Sequence, residues 1–187
     1  MNRVWSMPNK ETFKINPIKN LIEKYVPAKK TDDVLWIDPF VRNSIFKDRM
    51  EYTNDLNPEF KADVHMDALD FLKKIRDNSC DGVLFDPPYS PRQITESYKG
   101  VGKRATTEDT QTSFWSKLKD EIARITKEGS AVITFGWNSN GLGKTRGFEI
   151  IEILLVAHGS AHNDTIVVVE RKLASAASDN KHKKIKK

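Results

Sequence analysis

The residues in this sequence that are best suited to chemistry are Asp86-Pro87-Pro88-Tyr89. They follow the apolar run Val83-Leu84-Phe85, which predicts a buried strand that Pro87 must end, because proline cannot donate to a sheet ladder. A carboxylate, stiffened backbone carbonyls and a ring then stand at the carboxyl end of a strand, where open α/β sheets bind ligands. Such a set can hold an exocyclic amino group: Asp86 and the Pro87 carbonyl accept its hydrogen bonds while Tyr89 stacks on the ring. The alternative is a turn that only ends the strand, since Asp and Pro are common turn residues.

Further acidic residues follow the strands predicted earlier in the chain. Asp38 lies in the run 34–40, Asp55 in 51–56, and Asp67 ends 61–67. A parallel sheet brings these carboxylates and Asp86 to one edge. The separation between Asp38 and Asp55 is close to the ~20-residue offset of dinucleotide-binding folds. At that offset, an acid after the second strand meets the ribose hydroxyls. Asp67 is then placed to accept from an adenine amino group. Each acid alone can equally cap a following helix, but the series favours a nucleoside-bearing cofactor.

The elements that must position these residues alternate along the chain. Besides the strand at 83–85, strands are predicted at 34–40, 51–56, 61–67, 130–137, 149–159 and 164–172. Helices are predicted from Pro17 to residue 26, over 68–75, and from 112 until Gly129 ends that helix, with one or two helical turns at 43–49. The short link between the last two strands predicts an antiparallel pair. The predicted fold class is therefore α/β: a doubly wound, seven-stranded mixed sheet with an antiparallel final hairpin and helices on both faces.

Two segments show no periodicity. Residues 1–12 are predicted to be peripheral, and residues 90–110 are polar, which is typical of a lid, a binding loop or disorder. Residues 1–172 are predicted to form one domain, with a basic disordered tail at 173–187.

Composition limits the remaining classes. The 187-residue chain is long enough for one domain with a real core. Its net charge is +5, but five lysines and one acid lie in 173–187, so only about +1 remains for the domain and basicity alone does not indicate nucleic-acid binding. Cys80 is the single cysteine, which excludes an internal disulfide and favours a core residue. No apolar run approaches the roughly 18 residues of a membrane span and no signal-peptide core is visible, so a soluble, cytoplasmic protein without a membrane partner is predicted.

The order of these motifs resembles a known family. Asp38-Pro39-Phe40, an acid after each of the next two strands, and then Asp86-Pro87-Pro88-Tyr89 are similar to S-adenosylmethionine-dependent amino-methyltransferases, most closely the adenine-N6-specific DNA group. The resemblance covers roughly residues 13–172, and Asp-Pro-Pro-Tyr is its most specific part. Residues 13–22 also look like the segment that flanks the methionine end of the cofactor in that family.

The resemblance implies a Rossmann-like methyltransferase fold with S-adenosyl-L-methionine as cofactor and no metal. It implies that the target adenine leaves the DNA duplex by base flipping and is held by Asp86, Pro87, Pro88 and Tyr89 as the catalytic residues. A restriction-modification role is one setting for such an enzyme. The cofactor-binding residues that the resemblance implies are Phe13, Pro17, Asp38, Pro39, Phe40, Asp55, Asp67 and Ala68.

The chain departs from the family pattern in two places. Val41–Ser44 replace glycines that usually let the backbone approach the cofactor, and Arg42 is a candidate contact for the cofactor carboxylate. No separate target-recognition domain is visible, so low or short-sequence specificity is expected, or recruitment by a specificity partner protein or a homodimer. The residues left to contact nucleic acid are Arg92, Lys99, Lys103, Arg104, Lys144, Arg146 and His162.

Several alternatives stay open. Asp-Pro-Pro-Tyr also fits methyltransferases that act on cytosine N4, or on the amino groups of adenine or guanine in RNA. In cytosine-N4 enzymes the first residue of this motif is more often Ser, which favours adenine here. RNA is the runner-up substrate. A catalytically silent nucleic-acid-binding relic is a third class, because of the altered glycine turn. Gly143-Lys144-Thr145 is not a phosphate loop, since Asn138 stands where that motif needs glycine. His158, His162 and Asp164 lack a further ligand, so no metal site is predicted.

Overall fold

A mixed sheet of seven strands organises the computed structural model, which describes residues 1–107, 109–159 and 162–174. The strand order is β1-β6-β7-β5-β4-β2-β3. β7 runs antiparallel to β5 and β6, and the other pairs are parallel. The predicted mixed sheet with an antiparallel final hairpin is therefore confirmed. The strands are β1 (Asn2–Trp5), β2 (Trp36–Asp38), β3 (Tyr52–Thr53), β4 (Cys80–Phe85), β5 (Thr126–Gly136), β6 (Phe148–Ala157) and β7 (Thr165–Lys172).

One predicted strand is wrong and one strand was not predicted. Residues 61–67 form no strand, and only Val64 pairs with Asn54 in an isolated parallel bridge. The Asp63 carboxylate accepts from the Thr53 backbone N–H at 2.7 Å, which removes a donor that a further strand would need. At the opposite edge, β1 lies within the segment predicted to be peripheral. Four residues are too few to show a period, and β1 is a strand because it pairs with β6.

Helices cover both faces of the sheet, as predicted. Helix α1 (Asn16–Tyr25) packs Ile18, Leu21 and Ile22 against one face. Helices α2 (Ala68–Lys73), α3 (Pro91–Gly100) and α4 (Thr112–Ile125) pack against the other face. The central strands therefore bury alternate residues on both sides, which explains their continuous apolar runs. Close packing also requires Gly82 in β4, because a Cβ atom there would lie 2.2 Å from the Trp36 ring of β2.

Helix α3 and the end of α4 differ from the sequence prediction. Residues 91–100 form a helix although their sequence shows no apolar period. The period is absent because Ile94 is the one residue of α3 that is fully buried. Local chemistry starts this helix: the Ser90 hydroxyl accepts from the Gln93 N–H at 3.3 Å, and Pro91 occupies the first turn. Helix α4 ends at Ile125, and Gly129 lies inside β5 with φ +78°. The prediction that Gly129 ends the helix is therefore wrong.

Two further predictions concern the ends and the environment of the chain. The disordered tail was expected at 173–187, and residues 175–187 lie outside the described residues. Within the described ranges, none of the helices has both the length and the apolar character needed to cross a membrane.

Candidate active site

Two adjacent chambers open where β2, β3 and β4 end. The first chamber, of about 560 Å³, lies between residues 8–14 and 40–45. The second chamber, of about 550 Å³, lies among the residues that follow these strands and is covered by α3. Five residues line both chambers: Lys10, Thr12, Phe40, Arg42 and Asp86. Volumes of this size are typical of small-molecule sites.

Most of the predicted site residues meet at these chambers. Phe13 lines the first chamber, and its ring packs on Phe46 and Phe135. Two predicted residues line neither chamber. Asp38 is fully buried and its carboxylate accepts from the Phe40 backbone N–H, and Pro17 lies in the first turn of α1. The second chamber is lined by Pro39, Phe40, Asp55, Asp67, Ala68, Asp86, Pro87, Pro88 and Tyr89.

Asp86-Pro87-Pro88-Tyr89 forms a braced corner at the end of β4. The Tyr89 hydroxyl donates to the Asp86 carboxylate, and the Tyr89 backbone N–H donates to Gln93 Oε1 of α3 at 2.6 Å. The Trp115 indole of α4 donates to the Pro88 carbonyl at 2.9 Å. Helices on the same face of the sheet therefore hold the backbone of this corner, and its carboxylate lines both chambers.

The electrostatics of Asp86 suit a proton acceptor near neutral pH. Burial raises the pKa of Asp86 to about 6, although the hydrogen bond from Tyr89, the charge of Arg42 and the hydroxyl of Thr12 act in the opposite direction. Burial beside Asp86 also raises the pKa of Tyr89 well above its ordinary value. A carboxylate of this kind is mostly ionised at pH 7 and accepts a proton more readily than an exposed Asp.

Asp38 carries a buried oxygen that has no partner. Its Oδ1 accepts from the Phe40 N–H at 3.0 Å, and its Oδ2 has no hydrogen-bond partner among the described residues. Burial, with a smaller contribution from the charges of Asp86 and Asp55, raises the pKa of Asp38 to about 8. An uncompensated carboxyl group of this kind is costly. Asp38 itself lines neither chamber, but Pro39 and Phe40, which follow it, line the second chamber, so a ligand there is the nearest source of the missing donor or positive charge.

Asp55 holds the turn that follows β2. Its Oδ2 accepts from the Arg42 N–H at 3.0 Å, and its Oδ1 accepts from the Asn57 N–H at 2.9 Å. Arg42 has φ +42°, in the left-handed region that glycine adopts most easily. The turn therefore keeps a glycine-like backbone although the glycine is missing. Burial raises the pKa of Asp55, and its bonds to Asn57 and Arg42 oppose that shift.

Asp67 caps helix α2, the alternative role that its position in the sequence suggested. Its Oδ1 accepts from the Leu69 N–H at 2.9 Å. Its Oδ2 accepts from the Tyr98 hydroxyl of α3. A ligand that donates to Asp67 must therefore share an oxygen with one of these donors, and its role toward a cofactor stays a prediction.

The fold brings to the site three aromatic residues that were not predicted from the sequence. Trp137 directly follows β5, is 45% exposed, and meets the Tyr89 ring edge-to-face with 5.7 Å between centroids. Trp115 and Tyr98 reach the site from α4 and α3. Trp137 could have been found from the sequence, because an aromatic residue after a central parallel strand lies at the same edge as Asp86. Trp115 and Tyr98 gave no such signal, since they lie within helices.

The residues predicted to contact nucleic acid differ in their accessibility. Arg146 is held against α4: its guanidinium donates to Asp120 Oδ1 at 2.7 Å, to the Leu142 carbonyl at 3.0 Å and to Ser116 Oγ at 2.8 Å. It anchors the connection between β5 and β6. Arg92 is exposed and pairs with Glu96 at 2.8 Å. The others are exposed at the surface: Lys99, Lys103, Arg104, Lys144 and His162.

His158, which follows β6, has a structural role. His158 Nδ1 lies 2.9 Å from the Ser6 carbonyl, and its Nε2 lies 2.9 Å from Thr165 Oγ1. This side chain therefore ties the end of β1 to the start of β7. Among residues 1–107, 109–159 and 162–174, no group of three His, Cys, Asp or Glu side chains could hold a metal ion.

Comparison with known proteins identifies the fold. No family model matches the chain, and no curated protein matches it. A SAM-dependent methyltransferase from Archaeoglobus fulgidus is similar at a TM-score of 0.55 and 13% identity, over 84% of this chain and 94% of that chain. TrmN from Thermus thermophilus is similar at a TM-score of 0.52 and 15% identity, over 85% of this chain and 49% of that chain, so this chain spans about half of TrmN.

A third similar chain comes from the complex between the Haloferax volcanii Trm112 methyltransferase activator and a candidate methyltransferase. It matches at a TM-score of 0.54 and 11% identity, over 85% of this chain and 90% of that chain. Identities this low establish the fold alone, and one fold can host many reactions. The chain therefore has the Rossmann-like fold of SAM-dependent methyltransferases.

Proposed function

We propose that this protein transfers a methyl group from S-adenosyl-L-methionine to the N6 amino group of adenine in DNA. The observation that carries the proposal is the position of Asp86, which lines both chambers and is braced with Tyr89 in the Asp-Pro-Pro-Tyr corner. A carboxylate at that position can hold an amino group against a cofactor that occupies the cleft.

The residues of the cleft fit this cofactor. S-adenosyl-L-methionine has hydroxyl, amino and ammonium donors and a positively charged sulfonium, so it needs acceptors and negative charge. Asp38 offers a buried oxygen without a partner among the described residues, and Asp55 and Asp67 add carboxylates in the second chamber. Phe40 and Phe60 supply aromatic surface in the same chamber.

We assign the cofactor contacts accordingly. Asp55 holds the ribose hydroxyls, Asp67 the adenine amino group, and Asp38, Phe40 and Phe13 the region around the methionine portion. When it is bound, the cofactor supplies a methyl group that is already activated for transfer. Positioning and a polarised amine are then enough for the reaction, and no covalent enzyme intermediate is needed.

Asp86 and Tyr89 prepare the target amine. Asp86 accepts a hydrogen bond from the amino group, which draws the nitrogen lone pair out of conjugation with the ring. The nitrogen must lose a proton as its new bond forms, and the raised pKa of Asp86, about 6, suits it to accept that proton. In the ligand-free protein the Tyr89 hydroxyl already donates to Asp86. The incoming amino group must therefore share or replace that bond while the Tyr89 ring stacks on the base.

The surroundings of this corner support an unstacked base as the substrate. Flipping a base out of a duplex costs a few kcal/mol, and stacking on an aromatic ring returns on the order of 1–3 kcal/mol per base. Tyr89 and the exposed Trp137 offer such rings at one corner. The exposed cations Lys99, Lys103 and Arg104 follow along and after α3, which lines the second chamber, and provide phosphate contacts. A specificity partner or a homodimer would supply further target recognition.

A labelling experiment tests the proposal. The protein is incubated with methyl-labelled cofactor and separately with unmethylated DNA and RNA, and the products are digested to nucleosides. We expect label in N6-methyl-2′-deoxyadenosine from DNA. Label only in RNA, or only in N4-methylcytosine, would contradict the adenine-DNA assignment. Binding of nucleic acid with no transfer to DNA or RNA would favour the silent nucleic-acid-binding relic.

The Asp86→Ala variant tests the role of this carboxylate. This variant should lose transfer while it still binds S-adenosylhomocysteine, measured by calorimetry. A variant with the normal rate would refute the role of Asp86.

A further inference from the structure

Arg42 has an unusual backbone conformation beside the ligand cleft. Among the described residues, Arg42 and Asn78 are the non-glycine residues with positive φ, at 42° and 47°. The short polar side chain of Asn can hydrogen-bond to the nearby backbone and so offset the steric cost of this conformation, whereas the side chain of Arg cannot. Strained residues of this kind cluster at functional sites. The strain at Arg42 therefore calls for an explanation.

The contacts of Arg42 direct its side chain into the cleft. The Asp55 carboxylate accepts from its backbone N–H at 3.0 Å and fixes the turn. The guanidinium lies over the Phe60 ring, 5.7 Å from its centroid. Arg42 lines both chambers, whereas Phe60 lines the second chamber. The charged group of Arg42 therefore lies where the two chambers meet.

Arg42 is also the cation that acts most directly on the acids of the cleft. Its charge lowers the pKa of both Asp86 and Asp55, in opposition to their burial. Lys14, which lines the first chamber, is paired with Glu11. Because of its acidic residues, the cleft suits ligand groups that donate hydrogen bonds or carry a positive charge, and it repels an anionic group. Two cations, Lys10 and Arg42, line both chambers, so either can meet an anionic group of a ligand. Arg42 is the better candidate, because a guanidinium can form two parallel hydrogen bonds to a carboxylate and its charge already acts on Asp86 and Asp55.

We propose that Arg42 binds the α-carboxylate of the amino-acid portion of the cofactor, and so selects it over adenosine derivatives that lack this group. The inference rests on the proposed cofactor. The carboxylate is the anionic group of S-adenosyl-L-methionine and of S-adenosylhomocysteine, and the planar fork of a guanidinium matches its geometry. A glycine in the same turn would relieve the strain but could not supply this charge. The strain is thus retained because the side chain is needed.

A pair of ligands separates this role from others. S-adenosylhomocysteine contains the α-carboxylate, and 5′-methylthioadenosine has the same adenosine and sulfur without the amino-acid group. We expect Arg42→Met to weaken S-adenosylhomocysteine about 10- to 100-fold, as for loss of a charge-assisted bond, and to change 5′-methylthioadenosine by less than about twofold. Dissociation constants from calorimetry measure both.

Two further variants control the experiment. Arg42→Gly should weaken S-adenosylhomocysteine in the same way, yet raise Tm by about 2–4 °C because the strain is removed. Arg49→Met is the matched control: the Arg49 guanidinium also lies over a ring, 5.0 Å from the Phe46 centroid, and pairs with Glu23, but it lines neither chamber. Arg49→Met should leave the affinity for both ligands unchanged.

The outcomes distinguish the two proposals. If Arg42→Met weakens both ligands equally, or weakens neither, Arg42 does not read the carboxylate and this inference is overturned while the proposed cofactor stands. If the wild-type protein binds neither ligand, the proposed function itself fails, and the inference fails with it.

Discussion

Replacing Asp38 by Asn separates the stability of the ligand-free protein from its affinity for the cofactor. Asp38 is fully buried, its Oδ1 accepts from the Phe40 N–H at 3.0 Å, and its Oδ2 has no partner among the described residues. Asn has nearly the same shape and keeps the Oδ1 acceptor, but it never carries a charge. We therefore expect Asp38→Asn to stabilise the ligand-free protein above neutral pH.

The magnitude follows from the pKa of this group. Burial raises the pKa of Asp38 from 3.8 to about 8 in the folded protein. Between these values the folded state keeps a proton that the unfolded state releases, so the free energy of unfolding falls as pH rises. The slope is at most about 1.4 kcal/mol per pH unit, and the total by pH 8 is bounded at on the order of 5 kcal/mol. Structural relaxation and water entry will reduce this value.

Urea denaturation of both proteins at pH 5, 6, 7 and 8 measures the effect. We compare the difference between the two proteins, because the other titrating groups then cancel. This difference should be small at pH 5 and should grow in favour of Asn toward pH 8. Asp70→Asn is the control, since Asp70 is exposed beside Lys73 and its replacement should change stability by less than about 1 kcal/mol.

Cofactor binding should respond in the opposite direction. The unpartnered carboxylate is suited to the positive charge and donors of S-adenosyl-L-methionine, so Asp38→Asn should raise its Kd even though the protein is more stable. In the wild type the affinity should rise with pH up to about 8, as Asp38 loses its proton. Parallel pH profiles for the wild type and Asp38→Asn, or a less stable variant at pH 8, would show that Asp38 is charged and compensated in the free protein.

Three further predictions test other parts of the site. The methyl-transfer rate kcat/KM should fall below pH 6, because Asp86 must be ionised to accept the amine and its pKa is about 6; a flat pH–rate profile would argue against that role. Trp137→Ala should weaken binding of a target oligonucleotide about 5- to 100-fold through lost stacking, as measured by fluorescence anisotropy. Trp5→Ala, which removes a 65% exposed ring on β1, is the control, and equal losses would contradict a specific contact. Tyr98→Phe should lower the free energy of unfolding by about 1 kcal/mol, because it removes the hydrogen bond to Asp67. Binding of S-adenosylhomocysteine should survive Tyr98→Phe, and its loss would place Tyr98 itself in contact with the cofactor.

Much of the site could be predicted because its signals are local. Prolines end β2 and β4 directly after Asp38 and Asp86, so each acid stands at the carboxyl end of a parallel strand whatever the rest of the chain does. The apolar stripe of α1 and the short final hairpin are local in the same sense. For this reason the fold class and the placement of Asp38 and Asp86 at one edge of the sheet were predicted correctly, whereas Asp67 caps α2 and ends no strand.

Only the tertiary structure decided the features that depend on distant partners. β1 has too few residues to show a pattern and exists because it pairs with β6, while residues 61–67 fail as a strand because the Asp63 side chain takes a backbone donor of Thr53. The unpartnered oxygen of Asp38 and the strained turn at Arg42 are also invisible in the sequence. Burial and backbone conformation are properties of the assembled cleft, which brings together segments far apart in the chain. The sequence alone determined which groups stand at the carboxyl ends of the strands, and the packing around them decided their charge, their partners and the space they enclose.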